Sequence, residues 1–297
     1  MAAAGRDASV RLEDGRVLEY WDGGDPGGRP VIVHPGTPVT RILGRWADGA
    51  AAAAGVRLLF VNRPGYGRST LRPGMPSLRA VGRDTVELAD LLGIDGFGIV
   101  GYSGGGPFAV ATAVADPGRV RALAVVAGVG PWVTMQPVSV YPEDRACLAL
   151  LDGGDSAATW RCFEAQVEHD WVGLTPAEFT QAMIGGERGQ TAGDPDYRAI
   201  WLQNSVAVLE SFDGYIYDNV AWGAPWDVDP RDVVAPTRMW FGSDDESCPA
   251  DVYGRWFADR IAGAVLTVFE GAGHVDVCDG HWPEILTGVL RSWDEPP

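Results

Sequence analysis

Short apolar runs without polar alternation recur along the first half of this chain: Val31 to His34, Arg57 to Val61, Phe97 to Val100 and Val120 to Val126. A strand buried on both faces reads this way, whereas a half-solvated strand alternates. Helical patterns lie between them. Arg41 to Ala54 is alanine-rich and stops at Gly55. Leu78 to Leu92 separates Val81, Val86, Leu88, Leu91 and Leu92 from Arg83, Asp84, Glu87 and Asp90, and Gly93 ends it. Ahead of these, Val10 to Leu12 and Arg16 to Trp21 read as strands joined by a turn containing Asp14-Gly15, a hairpin signal. The alternation predicts an α/β fold with a mostly parallel central sheet and helices on both faces. Ligands of such sheets sit beyond the carboxyl ends of the strands.

The rhythm stops near residue 131. Helical patches follow at 143–151, 157–170, 175–184 and 196–211, broken by Gly and Asp clusters. It resumes with a strand at Thr237 to Phe241, a helix near 250–261, a strand at Ala264 to Phe269 and a helix near 282–293. The expected division is therefore a core of 1–130 and 230–297 and a helical cap, or lid, of 131–229. Trp132, Trp160, Trp171, Trp201, Trp222 and Trp226 lie in the cap or at its edge. Most of them read as core of a small subdomain. Trp132, Trp160, Trp222, His169 and Tyr102 are the candidate substrate contacts.

Composition narrows the function. The chain has 297 residues, 46% hydrophobic and 21% charged, enough for a large core. A net charge of −17 argues against nucleic acid and anionic membrane surfaces as partners. No stretch approaches the roughly 18 apolar residues that span a bilayer, and Met1 to Ser9 has no apolar core of a signal peptide. Cytoplasmic residence is the expectation. The partner is a small-molecule substrate, and a homodimer is left open. Cys147, Cys162, Cys248 and Cys278 have no Cys-x-x-Cys spacing and read most simply as free thiols, with a Cys147–Cys162 bridge left open. His34, His169, His274 and His281 lack zinc-type spacing, so no metal is expected.

The stretch that carries chemistry is Ile99 to Pro107, a strand running through Gly101-Tyr102-Ser103-Gly104-Gly105 into a helix. Glycines at 101 and 105 permit a tight strand-to-helix turn that lifts the Ser103 hydroxyl toward helix N-terminal amides. Pro107 suits a first helical turn. A serine hydroxyl is a weak nucleophile at neutral pH and needs a base, a carboxylate to orient it and N–H donors for the oxyanion. The strand at 237–241 ends in Gly242-Ser243-Asp244-Asp245, and the strand at 264–269 ends in Glu270-Gly271-Ala272-Gly273-His274. The chain order is Ser, Asp, His.

Over nearly its whole length the chain resembles the α/β-hydrolase superfamily. Gly242, Asp245 and Pro249 match the family's Gly-x-x-Asp with a later proline, which points to Asp245 ahead of Asp244. Gly273-His274 matches its Gly-His pair, whereas His281 reads as structural. His34-Pro35-Gly36-Thr37-Pro38 resembles the His-Gly-x oxyanion turn with the histidine one residue early. Asn62 to Gly67 resembles the Asp-x-Pro-Gly-x-Gly loop with Asn62 for the aspartate. The resemblance implies the α/β-hydrolase fold with a helical lid insertion. It also implies Ser103 as nucleophile, His274 as base, Asp245 as its orienting acid and the Thr37 and Gly104 amides as oxyanion hole. It implies no cofactor.

The expected activity is hydrolysis of an ester, lactone or thioester of a small apolar or aromatic molecule, the substrate class following from the aromatic lid. The alternatives are a C–C bond hydrolase, an amidase, a cyclase or lyase with the same triad, or a ligand-binding protein on this scaffold. Serine at position 103 argues against dehalogenases and epoxide hydrolases. The absence of His-Gly-Gly-Pro-Gly at His34 to Pro38 argues against proline iminopeptidases.

Overall fold

The computed structural model describes residues 5–132, 144–187 and 189–295. Eight strands form one sheet: β1 (Arg6–Arg11), β2 (Val17–Gly24), β3 (Arg29–His34), β4 (Val56–Val61), β5 (Phe97–Tyr102), β6 (Val120–Val126), β7 (Thr237–Gly242) and β8 (Val265–Phe269). Their order is β1-β2-β4-β3-β5-β6-β7-β8. β2 runs antiparallel to β1 and β4, and the remaining pairs are parallel. The Asp14-Gly15 turn closes the β1–β2 hairpin as expected, with Gly15 at φ 88°.

Helices α1 (Gly44–Ala53), α2 (Leu78–Leu91), α3 (Gly106–Ala115) and α8 (Trp282–Asp294) cover the sheet. The stretch expected as one helix from Arg41 is split. The Thr40 hydroxyl accepts from the Ile42 N–H and starts a single tight turn, Arg41–Leu43, before α1 begins. α3 is buried along nearly its whole length because it packs beneath the turn at Ser103 with no solvent face.

Between β6 and β7 lie α4 (Ser156–Asp170), α5 (Pro176–Ile184), α6 (Pro195–Val208) and α7 (Asp213–Gly223), with short helical turns at 145–153 and 190–193. The sequence pattern gives α4, α5 and α6 but not α7. Every residue of α7 from Gly214 to Gly223 is buried, so it carries no amphipathic stripe to detect. The helix expected near 250–261 is also corrected. A wide turn at 250–254 leads into one helical turn, Arg255–Ala258. Cys147 and Cys162 are joined in a disulfide, their Cα atoms 5.3 Å apart, which corrects the free-thiol reading for this pair. The turn at 145–148 packs against α4, which brings the two cysteines together. Cys248 and Cys278 are free and buried.

Candidate active site

β5 ends at Tyr102, and the chain turns at once into α3. Ser103 sits at the bend with φ 50°, a left-handed conformation that a non-glycine residue adopts only where its surroundings enforce it. The bend is this tight because its neighbours lack side chains. A Cβ on Gly101 would lie 2.4 Å from the Gly105 carbonyl oxygen. The Ser103 carbonyl accepts from Val129 N–H at 3.2 Å, so the next strand's exit loop ties the bend down.

His274 follows β8 and Asp245 follows β7. His274 Nε2 lies 2.9 Å from Ser103 Oγ, and its Nδ1 lies 2.8 Å from Asp245 Oδ2. Asp245 Oδ1 accepts from the Ser247 and Cys248 amides at 2.9 and 2.8 Å. Asp244 turns away and takes its hydrogen bond from Ser243 Oγ. The geometry thus separates two adjacent acids that sequence spacing only ranked. His281 stacks on Phe269 with ring centroids 3.8 Å apart, outside this constellation.

Electrostatics reinforce the arrangement. Burial works against ionisation of Asp245, but His274 and the two amides outweigh it and hold the carboxyl below its usual range. Burial likewise opposes charge on His274, while the Asp245 carboxylate hydrogen-bonded to Nδ1 raises its pKa above 6.5. Cys278 Sγ stands 4.0 Å from His274 Nε2. Burial pushes Cys278 up to about 12 and Cys248 up to about 11, so both are neutral thiols near pH 7. Asp245 is therefore the charge that His274 meets in a direct hydrogen bond.

The turn after β3 faces the bend. A Cβ on Gly104 would lie 2.3 Å from Thr37 Oγ1 and 3.3 Å from Thr37 N, and one on Gly36 would lie 3.2 Å from Ser103 Cβ. Thr37, Ser103 and Gly104 line one small cavity with Val129, Asn219 and Trp222. A second, of about 40 Å³, has Tyr102, Ser103, His274, Tyr197, Trp201 and Asp279 in its wall. A third, of about 320 Å³, shares Pro38 and Met183 with the second and adds Trp171 and Tyr215.

Trp222 and Tyr102 therefore each share a cavity wall with Ser103. Trp132, Trp160 and His169 are not among the described residues that line these three cavities. Trp132 is buried against Gly223 of α7. The fully buried residues of α4 are Thr159, Phe163 and Val167, which turns His169 to solvent, while Trp160 flanks that face, half-buried against the core. Trp160 Nε1 donates to Glu164, and the His169 side chain is 87% exposed beside Asp170.

Sequence reasoning missed several polar groups here. Glu187 reaches the cavity wall near His274, and burial raises its pKa. Asp279 is buried, pushed up to about 6, and accepts from Tyr197 Oη at 2.7 Å and Trp282 Nε1 at 3.3 Å. Asp218 of α7 is fully buried against Arg63 of the loop after β4. The only signal for Arg63 was its place in the Asn62–Gly67 motif. Asp218 had none, because it lies in a helix without a pattern.

The model of the Alpha/beta hydrolase family matches residues 31–284. The chain is 26% identical over 298 aligned positions to a non-heme chloroperoxidase of Streptomyces lividans, covering 96% of this chain and 98% of that protein. It is also 26% identical to a 2-hydroxy-6-oxo-6-phenylhexa-2,4-dienoate hydrolase of Comamonas testosteroni, covering 87% and 85%. Among solved structures, an esterase from Exiguobacterium antarcticum superposes with a TM-score of 0.67 at 19% identity, covering 98% of this chain and all of that one. At that identity the likeness concerns the fold.

Proposed function

The chain belongs to the alpha/beta hydrolase family, and on that premise we propose that it is a serine hydrolase of esters, lactones or thioesters of small apolar or aromatic molecules. The observation that carries the proposal is the hydrogen-bonded line from Ser103 Oγ through His274 to Asp245, anchored on a left-handed serine. His274 Nε2 takes the Ser103 proton as Oγ attacks the substrate carbonyl. The Thr37 and Gly104 amides stabilise the oxygen as it gains charge. His274 returns the proton to the leaving group, and water, activated by the same histidine, releases the acyl group from Ser103. Asp245 fixes the histidine tautomer and faces the imidazolium.

The helices between β6 and β7 act as the cap that selects the substrate. Trp222, Trp201 and Met183 give its inner surface an apolar character. C–C bond hydrolysis, the reaction in the name of the Comamonas relative, is the second reading. That substrate is a carboxylate. The described walls of the cavities at Ser103 hold Asp144, Glu187 and Asp279 but no arginine or lysine, which favours an uncharged ester.

The test is labelling with a fluorophosphonate together with cleavage of p-nitrophenyl esters. A mass adduct on Ser103, absent in Ser103→Ala, with ester turnover is the expected result. Labelling without ester turnover turns the assignment to the C–C reading. Neither labelling nor turnover removes the serine-hydrolase assignment.

A further inference from the structure

We infer that Arg63 and Asp218 are positioning residues for the oxyanion hole: their buried ion pair holds the Gly36–Thr37 peptide so that the Thr37 N–H faces the reacting carbonyl. The inference deepens the serine-hydrolase reading and rests on it.

Arg63 and Asp218 are both fully buried. Arg63 Nε donates to Asp218 Oδ1 at 2.9 Å, and Nη2 to Asp218 Oδ2 at 2.5 Å. The rest of the guanidinium is turned on the oxyanion loop. Nη1 donates to the Pro35 carbonyl, and Nη2 to the Gly36 carbonyl at 2.9 Å and to Thr37 Oγ1 at 3.3 Å. Asp218 Oδ2 also accepts from Thr37 Oγ1 and from Tyr66 Oη, each at 2.8 Å. Phe108 at the start of α3 presents its ring to the guanidinium, 4.9 Å from centroid to Cζ.

A trans peptide is planar, and its C=O and N–H point in opposite directions. Arg63 grips the Gly36 carbonyl from one side, so the Thr37 N–H is directed to the other. That is the side of the serine bend, where a Cβ on Gly104 would come within 3.3 Å of Thr37 N. Gripping Pro35 as well fixes the preceding peptide plane, so the loop cannot rotate about a single bond. A guanidinium suits this task because its rigid fork can hold two successive carbonyls and a carboxylate together, whereas an ammonium is a single point.

Stability alone does not account for the choice. Two charges withdrawn from water lose about as much hydration as they gain from each other, and an apolar pair of similar volume serves a core equally well. What the pair adds is direction. It also ties the oxyanion loop to α7, so helix and hole are positioned together.

The experiment compares wild type, Arg63→Lys and Tyr66→Phe in kcat and KM for p-nitrophenyl acetate, in affinity for a trifluoromethyl ketone that forms an oxyanion on Ser103, and in thermal unfolding. Fluorophosphonate labelling of wild type comes first. A wild type that neither labels nor cleaves esters overturns the hydrolase reading and this inference with it. In an active enzyme, Arg63→Lys is expected to lower kcat by about 100-fold, the scale of a lost oxyanion donor. KM stays within about two-fold, because the donor acts on the transition state. Ketone affinity falls with kcat. A folded Arg63→Lys protein with a lower Tm but unchanged kcat and ketone affinity overturns the inference and leaves a structural role. If Arg63→Lys does not fold, Tyr66→Phe decides. It removes one donor to Asp218 and keeps the ion pair, so a fall of about three- to ten-fold in kcat, matched in ketone affinity, is expected on the scale of one typical net hydrogen bond. Unchanged values in that variant overturn the inference.

Discussion

Thr37 Oγ1 donates to Asp218 Oδ2 at 2.8 Å, joining positions 181 residues apart in the chain. The hydroxyl lies between the two parts of the site. On one side it is 2.3 Å from where a Gly104 side chain would begin, and on the other it meets the carboxylate of α7. The face of Thr37 toward Ser103 is thus left to its backbone.

Gly104→Ala follows directly from that spacing. The added methyl collides with Thr37 Oγ1 and pushes the two proposed oxyanion donors apart. A fall in kcat on the order of 10²-fold is expected, as for loss of one donor. Steady-state kinetics on a p-nitrophenyl ester, with circular dichroism to confirm an unchanged fold, check it.

Ser103→Ala and His274→Ala each remove a member of a unit that acts together. Each alone should lower kcat on the order of 10⁴-fold or more, and the double variant should cost little beyond either single one. Additive losses would show that the two side chains work independently.

The pH profile depends on His274. It acts as a base only when neutral, so kcat/KM should be low below its pKa and rise as pH passes through it. The Asp245 carboxylate lifts that pKa above 6.5, against the effect of burial, so the acid limb should lie alkaline of an ordinary histidine. Asp245→Asn removes the facing charge. It should move the limb to lower pH and reduce the plateau on the order of 10⁴-fold, because the tautomer is no longer fixed. A limb that stays in place identifies a different ionising group.

Asp279 gives a stability signature of opposite sign to a salt-bridged acid. Its folded pKa of about 6 exceeds its usual 3.8, so between those values the folded protein holds a proton that the unfolded chain releases. The contribution of Asp279 to stability therefore falls as pH rises from about 4 to about 6. Asp279→Asn lacks this loss. The Tm of the variant relative to wild type should climb across that window and level off above it.

Reduction of the Cys147–Cys162 disulfide should destabilise the protein. The bridge closes a loop of 15 residues, for which chain entropy alone gives about 3 kcal/mol. Thermal unfolding with and without dithiothreitol, and of a Cys147→Ser/Cys162→Ser protein, measures it. Equal Tm values in all three would show that the bridge does not limit the unfolded ensemble.

Most of the sheet was legible in the sequence because its parallel strands are buried on both faces and read as unbroken apolar runs. Ser103, Asp245 and His274 were legible because each follows a strand end, where short-range glycine patterns mark the turn. The residues that hold them were not. Asp218 and Asn219 lie in a helix buried all round, so no period of 3.6 marks it. Arg63 sits in a recognised loop motif, but its partners Pro35, Gly36 and Asp218 come from two other segments. His169 shows the converse. Residue type suggested a role, and the helix phase set by Phe163 and Val167 turns its side chain to solvent. Chemistry carried by strand ends is local, whereas support supplied across the fold appears only in three dimensions.

The Arg63–Asp218 pair also limits how this scaffold can be recombined. A β6–β7 segment transplanted from a relative would bring new walls for the cavities beside Ser103. If it lacked an acid at the place of Asp218, it would leave a buried guanidinium without its counter-charge directly behind the Gly36 carbonyl. Chimaeras built at the β6 and β7 junctions must therefore transfer position 63 together with the helix that bears position 218, or replace both.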